Sequence, residues 1–358
     1  MPHPLTSKHY SIVSTDAGPY AEDFKKFPGS IFIDPVWIKS MSTDSCQPIY
    51  LNLISDRGTE AILGGLVVNG NRLQGTQLYF FSGPAFAKFS NEMYRVFLHH
   101  LKIFAIKNRY ARISIRPWDQ TPNVPVRVLG FVQSSTHEYV IDLGMEGFEC
   151  QISSRVMKNI KKGTKAGAFI RESASVQDLD LLLSFLDSTK GRRISKFGTV
   201  YSAFYMFNLN RESILTLLNR GMAKLLCAEV NGETYSVLLL VYSKDRVCCL
   251  LKGSRTEAYA NGLSSFIDFK EVQLLRGQGY RWLNLGPELC TKEGQGLNQY
   301  KEGICARSTE RFGMYTYYLF FPYRILNGLM LLGHYCSKIK WFDGMAQKVS
   351  HLFAPAKN

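Results

Sequence analysis

The run AKLLCAEVNGETYSVLLLVYSKDRVCCLLK, residues 223–252, decides how this chain folds. Two apolar stretches, 223–230 and 234–242, flank Asn231-Gly232, the dipeptide that most strongly marks a two-residue hairpin because both of its positions tolerate positive φ. A third stretch, 246–252, follows the turn Ser243-Lys244-Asp245. The expected local structure is a meander of three antiparallel strands. Downstream, Leu263, Phe266, Ile267 and Leu274 fall on one side of a helix expected over 261–276. Gly277 and Gly279 end that helix as a C-cap and lead into a strand at 281–285.

Working outward, the same order of elements occurs in the first half. Strands are expected at 49–55, 60–68 and 77–82, with Asp56-Arg57-Gly58 and Asn69-Gly70 as turns. A helix at 91–107 carries Met93, Val96, Phe97, Leu101 and Phe104 at helical spacing behind Ser90 as N-cap. A period-two strand, 111–116, then ends at Pro117. Meander, helix and further strand, taken twice, is the element order of GNAT-type acyltransferases, so the expected fold class is α/β (α+β): two tandem GNAT-like domains, each a mixed, mainly antiparallel sheet flanked by helices. The expected divisions are 1–148 for the first domain, 149–322 for the second with a helical insertion at 154–220, and 323–358 for a C-terminal helical tail.

Composition bounds the class. The 358 residues suffice for about two domains, and 46% apolar against 20% charged residues excludes a disordered chain. A net charge of +14 would attract a polyanion such as RNA, an anionic head group or a nucleotide-linked substrate, and would equally serve solubility alone. The eight cysteines contain no C-x-x-C pair and no Cys/His cluster of zinc-ligand spacing, so no metal site is expected and the thiols read as reduced. Residues 1–20 lack the apolar core of a signal peptide, which makes the cytoplasm the expected compartment. The most apolar stretch, 314–335, is broken by Pro322, Arg324, Gly328 and Gly333, too short on either side to span a bilayer. A peripheral contact with the inner face of the membrane through the C-terminal tail remains an open alternative to simple packing.

Several runs resemble, in order, the FemABX family of aminoacyl-tRNA-dependent transferases and related FemAB-like acyltransferases. In the first half they are Ser82-Gly83-Pro84, Ile115-Arg116-Pro117 and Leu129-Gly130-Phe131 leading to Tyr139-Val140-Ile141-Asp142-Leu143. In the second half they are the basic run Arg155 to Lys162, Gly253-Ser254, Leu283-Asn284-Leu285-Gly286-Pro287 and Tyr300-Lys301-Glu302-Gly303. The chain departs from the family where Gly286-Pro287 replaces paired glycines and where Gly303-Ile304-Cys305 replaces an aromatic-glycine pair. The resemblance implies transfer of an aminoacyl group from aminoacyl-tRNA to an amine on a cell-envelope precursor or small metabolite, with no bound cofactor. It also implies that Lys301 stabilises the oxyanion formed in acyl transfer. Ser254, Tyr259 and Gly286 would lie along the acceptor-binding edge.

Other residues carry chemistry by type. Arg192 and Arg193 could bind phosphate bidentately or simply be solvated. Arg155, Lys158, Lys161, Lys162 and Lys165 form a basic helix suited to a tRNA backbone, although basic helices are more often plain solvated faces. Asp119, after Arg116-Pro117-Trp118, is a candidate general base. The segment 255–262, RTEAYANG, lacks the spacing of the glycine turn that binds the pyrophosphate of acyl-CoA, which favours another donor. Two alternatives stand beside the aminoacyl-tRNA reading: an N-acyltransferase using acyl-CoA or an acyl carrier, and a non-catalytic module that binds RNA or a partner.

Overall fold

Asn231 and Gly232 adopt φ of 51° and 81°, the left-handed pair a tight hairpin requires, and the strands on either side pair antiparallel from Glu233↔Val230 onward. The computed structural model describes residues 9–72, 74–197, 204–289 and 294–328. In chain order the strands are β1 (Ser11–Ser14), β2 (Cys46–Ser55), β3 (Gly58–Asn69), β4 (Thr76–Phe80), β5 (Ala85–Phe86), β6 (Arg112–Ile115), β7 (Val132–Asp142), β8 (Phe169–Ser173), β9 (Ala223–Val230), β10 (Glu233–Ser243), β11 (Arg246–Ser254), β12 (Trp282–Pro287) and β13 (Arg307–Tyr315). The α-helices are α1 (Ala17–Lys26), α2 (Pro35–Ser40), α3 (Asn91–Lys107), α4 (Phe148–Gln151), α5 (Ser154–Lys165), α6 (Val176–Phe197), α7 (Arg211–Asn219), α8 (Thr256–Ala260), α9 (Leu263–Gly277) and α10 (Gln295–Gly303). The fold class is the expected one, with mainly antiparallel sheets flanked by helices.

The chain divides into two units, one running to Ser135 and resuming at Arg311, the other Thr136–Glu310. In the first unit the strands lie in the order β1-β2-β3-β4-β6-β13, with β5 against β3. β4 and β6 are parallel and paired from Gln77↔Arg112 to Phe80↔Ile115. α3 spans the expected residues, and Ser90 Oγ accepts the Met93 N–H at 3.0 Å. Its Phe97 and Leu101 are buried, Phe97 edge-on to Phe86, and Phe32, Trp37 and Phe81 form a second group of buried edge-on rings.

In the second unit the order is β7-β12-β11-β10-β9-β8. α9 and α5 cross at glycines: a Cβ on Gly163 would lie 2.7 Å from Phe266 Cβ, and one on Gly262 would lie 2.1 Å from the Asn159 carbonyl oxygen. Ile141, Val156, Leu226, Leu238, Val247, Ile267, Val272 and Leu283 belong to one buried cluster beneath these helices.

Three expectations change. The segment 154–220, expected to be wholly helical, contains β8, which adds an antiparallel edge strand through Phe169↔Glu229 to Ser173↔Leu225. Tyr139 to Asp142, read as closing the first copy, instead pair with β12 in the second unit (Asp142↔Trp282, Ile141↔Leu283, Val140↔Asn284). The end of β13, read with the second copy, pairs with β6 in the first unit through Met314↔Ile115 and Tyr315↔Ser114. Each unit is thus closed by a strand that the chain order would give to the other. Of the expected C-terminal tail, Tyr323–Ile325 forms a 3-10 turn and residues 329–358 lie outside the described residues. Among the described residues no helix is long and apolar enough to cross a membrane.

Candidate active site

β11 and β12 are parallel neighbours, but their pairing comprises only Arg246↔Trp282, Val247↔Leu283 and Cys248↔Asn284. β11 then continues to Ser254 and β12 to Pro287. The cause lies in β11, where the register against β10 slips between Leu251↔Leu239 and Cys249↔Leu240, so that Leu250 is a bulge residue. A bulge bends its strand, raises its twist and re-aims the side chains beyond it. Here it turns Lys252 toward α9 and Gly253 toward α6, where a Cβ would lie 2.8 Å from Phe185 Cβ. The counterpart strand of the first unit, β4, pairs with β3 without such a slip.

On the β12 side the chain leaves the ladder at Gly286, with φ of 78°. Asn284 Oδ1 accepts the Gly286 N–H at 2.7 Å, and Asn284 Nδ2 donates to Glu138 Oε2 at 3.0 Å. This fixes the direction of the Gly286 and Pro287 carbonyls. Both accept hydrogen bonds from Lys301 Nζ, at 3.4 and 3.0 Å.

Lys301 sits in the last turn of α10, and its neighbours in sequence explain its placement. The Tyr300 hydroxyl donates to Asp268 Oδ2 at 2.6 Å. Glu302 Oε1 accepts from the Tyr139 hydroxyl at 3.0 Å. Gly303 packs where a Cβ would lie 2.8 Å from Ser153 Oγ. The Ala306 N–H returns to the Lys301 carbonyl at 3.0 Å to close the helix. Every residue of Tyr300-Lys301-Glu302-Gly303 therefore has a structural partner, and the lysine is the one whose polar end reaches the place where β11 and β12 part.

Lys301 is only 8% exposed, and its ammonium lies 5.3 Å from the Tyr139 ring centroid. Burial pulls its pKa down to about 8, against smaller upward pulls from Cys249, Cys248, Glu138 and Asp268. The group is a cation at neutral pH and titrates not far above it. On the α9 side, Lys252 Nζ bonds Asp268 Oδ2 at 2.5 Å and the Ser264 carbonyl at 2.8 Å. Asp268 thus ties β11 and α10 to α9.

The other residues singled out in the sequence fall as follows. Arg192, at the exposed end of α6, donates from Nη1 to Thr256 Oγ1 at 3.3 Å and lies 5.2 Å from the Tyr259 ring centroid. Arg192 thus meets Tyr259 on α8, the helix that occupies the stretch corresponding to a pyrophosphate-binding turn. Arg193 lies in the same turn and is half-buried. Ser254 is buried, its hydroxyl 2.6 Å from that of Ser236, so it braces the β10–β11 hairpin. Arg155, Lys158, Lys161, Lys162 and Lys165 are all exposed on α5, whose opposite face buries Val156, Ile160 and Gly163. Asp119 belongs to the other unit, is 1% exposed and has φ of 46°.

Sequence reasoning missed Asp268, Lys252, Asn284 and Glu138 as parts of the site. Only the i, i+4 spacing of Ser264 and Asp268 on a helix hinted at a polar face. Among the described residues no group of three or more His, Cys, Asp or Glu could hold a metal ion.

A family model described as an acetyltransferase (GNAT) domain matches residues 152–302, the segment that holds β11, β12 and Lys301. No curated protein matches the chain by sequence. Among solved structures, FemX is similar with a TM-score of 0.68 at 13% identity, covering 89% of this chain and 99% of that one. A domain assigned to a lysylphosphatidylglycerol synthetase from Agrobacterium fabrum is similar at 0.52 and 14% identity, over 84% of this chain and 91% of that one. L-PGS from Bacillus licheniformis is similar at 0.53 and 11% identity, over 85% and 92%. Residues 152–302 thus match an acetyltransferase domain of the GNAT type, and the fold of the chain is similar to that of FemX. As a fold, two units in one chain, it resembles FemX over 89% of its length.

Proposed function

We propose that this acyltransferase moves an aminoacyl group from aminoacyl-tRNA to an amine acceptor, a cell-envelope precursor or a small metabolite, at the place where β11 and β12 part. The observation that carries the reading is the buried Lys301 ammonium held against the Gly286 and Pro287 carbonyls at the end of β12. An acyl ester entering there would place its carbonyl oxygen near one fixed cation. As the acceptor nitrogen attacks, negative charge grows on that oxygen, and a pre-oriented ammonium in a poorly solvated site stabilises it more than water does. The tetrahedral intermediate collapses with departure of the donor's alkoxide, and the proton lost by the amine passes to that oxygen.

Two observations favour a tRNA donor over acyl-CoA. α8 occupies 256–260, where the pyrophosphate turn would stand. The five basic side chains of α5 face solvent, and none forms an ion pair among the described residues. The chain would then act in the cytoplasm, where charged tRNA is found, with Arg192 and Tyr259 as candidate contacts for a phosphorylated or sugar-bearing substrate.

Transfer assays with radiolabelled aminoacyl-tRNA and with acetyl-CoA, on the wild type and on Lys301→Ala, test this. Consumption of aminoacyl-tRNA that falls at least 100-fold in the variant supports it. Consumption of acetyl-CoA alone selects the acyl-CoA reading. RNA binding without turnover of either donor selects the binding module.

A further inference from the structure

On α9, within electrostatic reach of Tyr300, lies a carboxyl group that the reaction as written does not use. Glu271, on α9, is 0% exposed, and no donor among the described residues reaches either of its side-chain oxygens. Buried carboxyl groups nearly always find hydrogen-bond partners, because leaving one without any costs on the order of 1–3 kcal/mol. Such a group in a native fold calls for an explanation.

Its surroundings identify the direction it faces. Ser264, Asp268 and Glu271 share one side of α9 by their i, i+4 and i+3 spacing. Ser264 and Asp268 are both bonded to Lys252 of β11, so this side of the helix looks onto β11. Cys249, three residues before Lys252 and on the near side of the Leu250 bulge, feels the Glu271 carboxyl electrostatically, as does Tyr242 at the end of β10. Glu271 therefore stands behind the point where the β11–β12 pairing stops at Cys248↔Asn284. The protein's own cations nearby are engaged elsewhere: Lys252 with Asp268, and Lys301 with the Gly286 and Pro287 carbonyls. Among the described residues, then, no cation is left to pair with Glu271.

We infer that Glu271 recognises a primary amine carried by the transferred acyl group, so that the site selects amine-bearing acyl donors over plain ones. The inference rests on the proposed placement of the acyl group between β11 and β12. It explains why an acid is kept at this depth: an amine supplies the hydrogen-bond donors both oxygens lack and the positive charge a buried carboxylate needs. A plain acyl chain supplies neither. In the free protein, burial and the neighbouring Asp268 hold Glu271 well above the usual carboxylate range, with Lys252 opposing. Burial thus favours its protonated form in the free protein. When an ammonium enters, the carboxyl ionises and one proton passes to the buffer, leaving a paired ammonium and carboxylate with charge conserved.

The test uses the full chain and two probes, L-alaninamide and its desamino counterpart propionamide, by calorimetry in buffers of different ionisation enthalpy. L-Alaninamide is expected to bind the wild type at least tenfold more tightly than propionamide and to release close to one proton. Glu271→Gln and Glu271→Met, with circular dichroism confirming the fold, are expected to lose that preference and the proton release. Equal binding of the two probes by the wild type, or an unchanged preference in both variants, overturns the inference. Failure of Glu271 is distinguishable from failure of the proposed function: if Lys301→Ala abolishes transfer while Glu271→Gln keeps its amine preference, only the role of Glu271 falls. If no donor is consumed, the reading on which it rests falls too.

Discussion

The hydroxyl of Tyr300 donates to Asp268 Oδ2 at 2.6 Å, one residue before the lysine that reaches the end of β12. Because the same oxygen receives Lys252 of β11, one carboxylate sets the position of α10 and of β11. Asp268→Asn and Tyr300→Phe are expected to lower kcat about tenfold with little change in KM, since a displacement near 1 Å at a reacting centre has effects of up to about 100-fold. Asp268 also raises the pKa of Lys301, so Asp268→Asn should move the alkaline limb of the rate profile to lower pH. A purely structural loss would scale the profile without moving it.

Lys301 should give the wild type an alkaline limb in kcat with a midpoint near its pKa of about 8, because the oxyanion requires the protonated form. Lys301→Arg, whose guanidinium stays charged, should remove the limb from the accessible range even if its rate is lower. Steady-state rates from pH 6 to 10 decide this, and an identical limb in both proteins refutes the role.

The same burial has a consequence for stability. Lys301 has a folded pKa below its unfolded value near 10.5, so the unfolded chain holds more protons between about pH 8 and 10.5. The penalty for the buried ammonium is fully present below pH 8 and fades as pH rises through that window. Lys301→Met is accordingly expected to be at least as stable as the wild type at pH 7, with the difference shrinking toward pH 10 in urea titrations.

Arg171 bonds Asp178 with both terminal nitrogens, at 2.9 and 3.1 Å, and Glu229 with Nε at 2.8 Å. Arg171 holds the Asp178 carboxyl well below the usual range, assisted by Ser173 and Ser175 against the effect of burial. Removing one partner of a buried pair costs about 3–5 kcal/mol. The Arg171 side chain is 41% exposed, so solvent screening reduces the expected cost of Arg171→Met to about 1–3 kcal/mol. A depressed carboxyl contributes stability above its unfolded pKa and loses it as pH falls through the folded one. The difference between variant and wild type should therefore narrow below pH 4.

Gly262 carries φ of 73° and packs so tightly on Asn159 that a Cβ would enter its carbonyl. Gly262→Ala should destabilise by about 3 kcal/mol or more, combining left-handed strain with overpacking, read as a lower midpoint in denaturant.

Charge reversal at Lys158, Lys161 and Lys162, all exposed, should leave the fold intact and weaken tRNA binding. The slope of log K against log salt should fall by about 0.7–0.9 for each phosphate contact removed. Unchanged salt dependence would mean that α5 is only a solvated face.

Much of the fold was legible in the sequence because its signals are local. Asn231-Gly232 sets the hairpin through its own backbone geometry, and Ser90 with the apolar spacing behind it fixes α3. The motif around Lys301 was visible as a string, but its meaning was not. Nothing local shows that Lys301 lies within α10 and is buried, its neighbours in sequence held by Tyr139 of β7, Asp268 of α9 and Ser153 at the start of α5.

The sequence by itself determined the two meanders, the helices that follow them and the candidate lysine, since turn chemistry and apolar period act within a few residues. Tertiary structure alone decided that β7 closes the second unit and β13 the first, that β8 interrupts the helical segment, and that β11 parts from β12 after Cys248. Strand pairing joins residues more than a hundred positions apart, as in Ile141 with Leu283, and the energy of that choice comes from burial and ladder hydrogen bonds that no local pattern encodes. The same long-range pairing places Glu138 and Tyr139 against the strand end that Lys301 reaches.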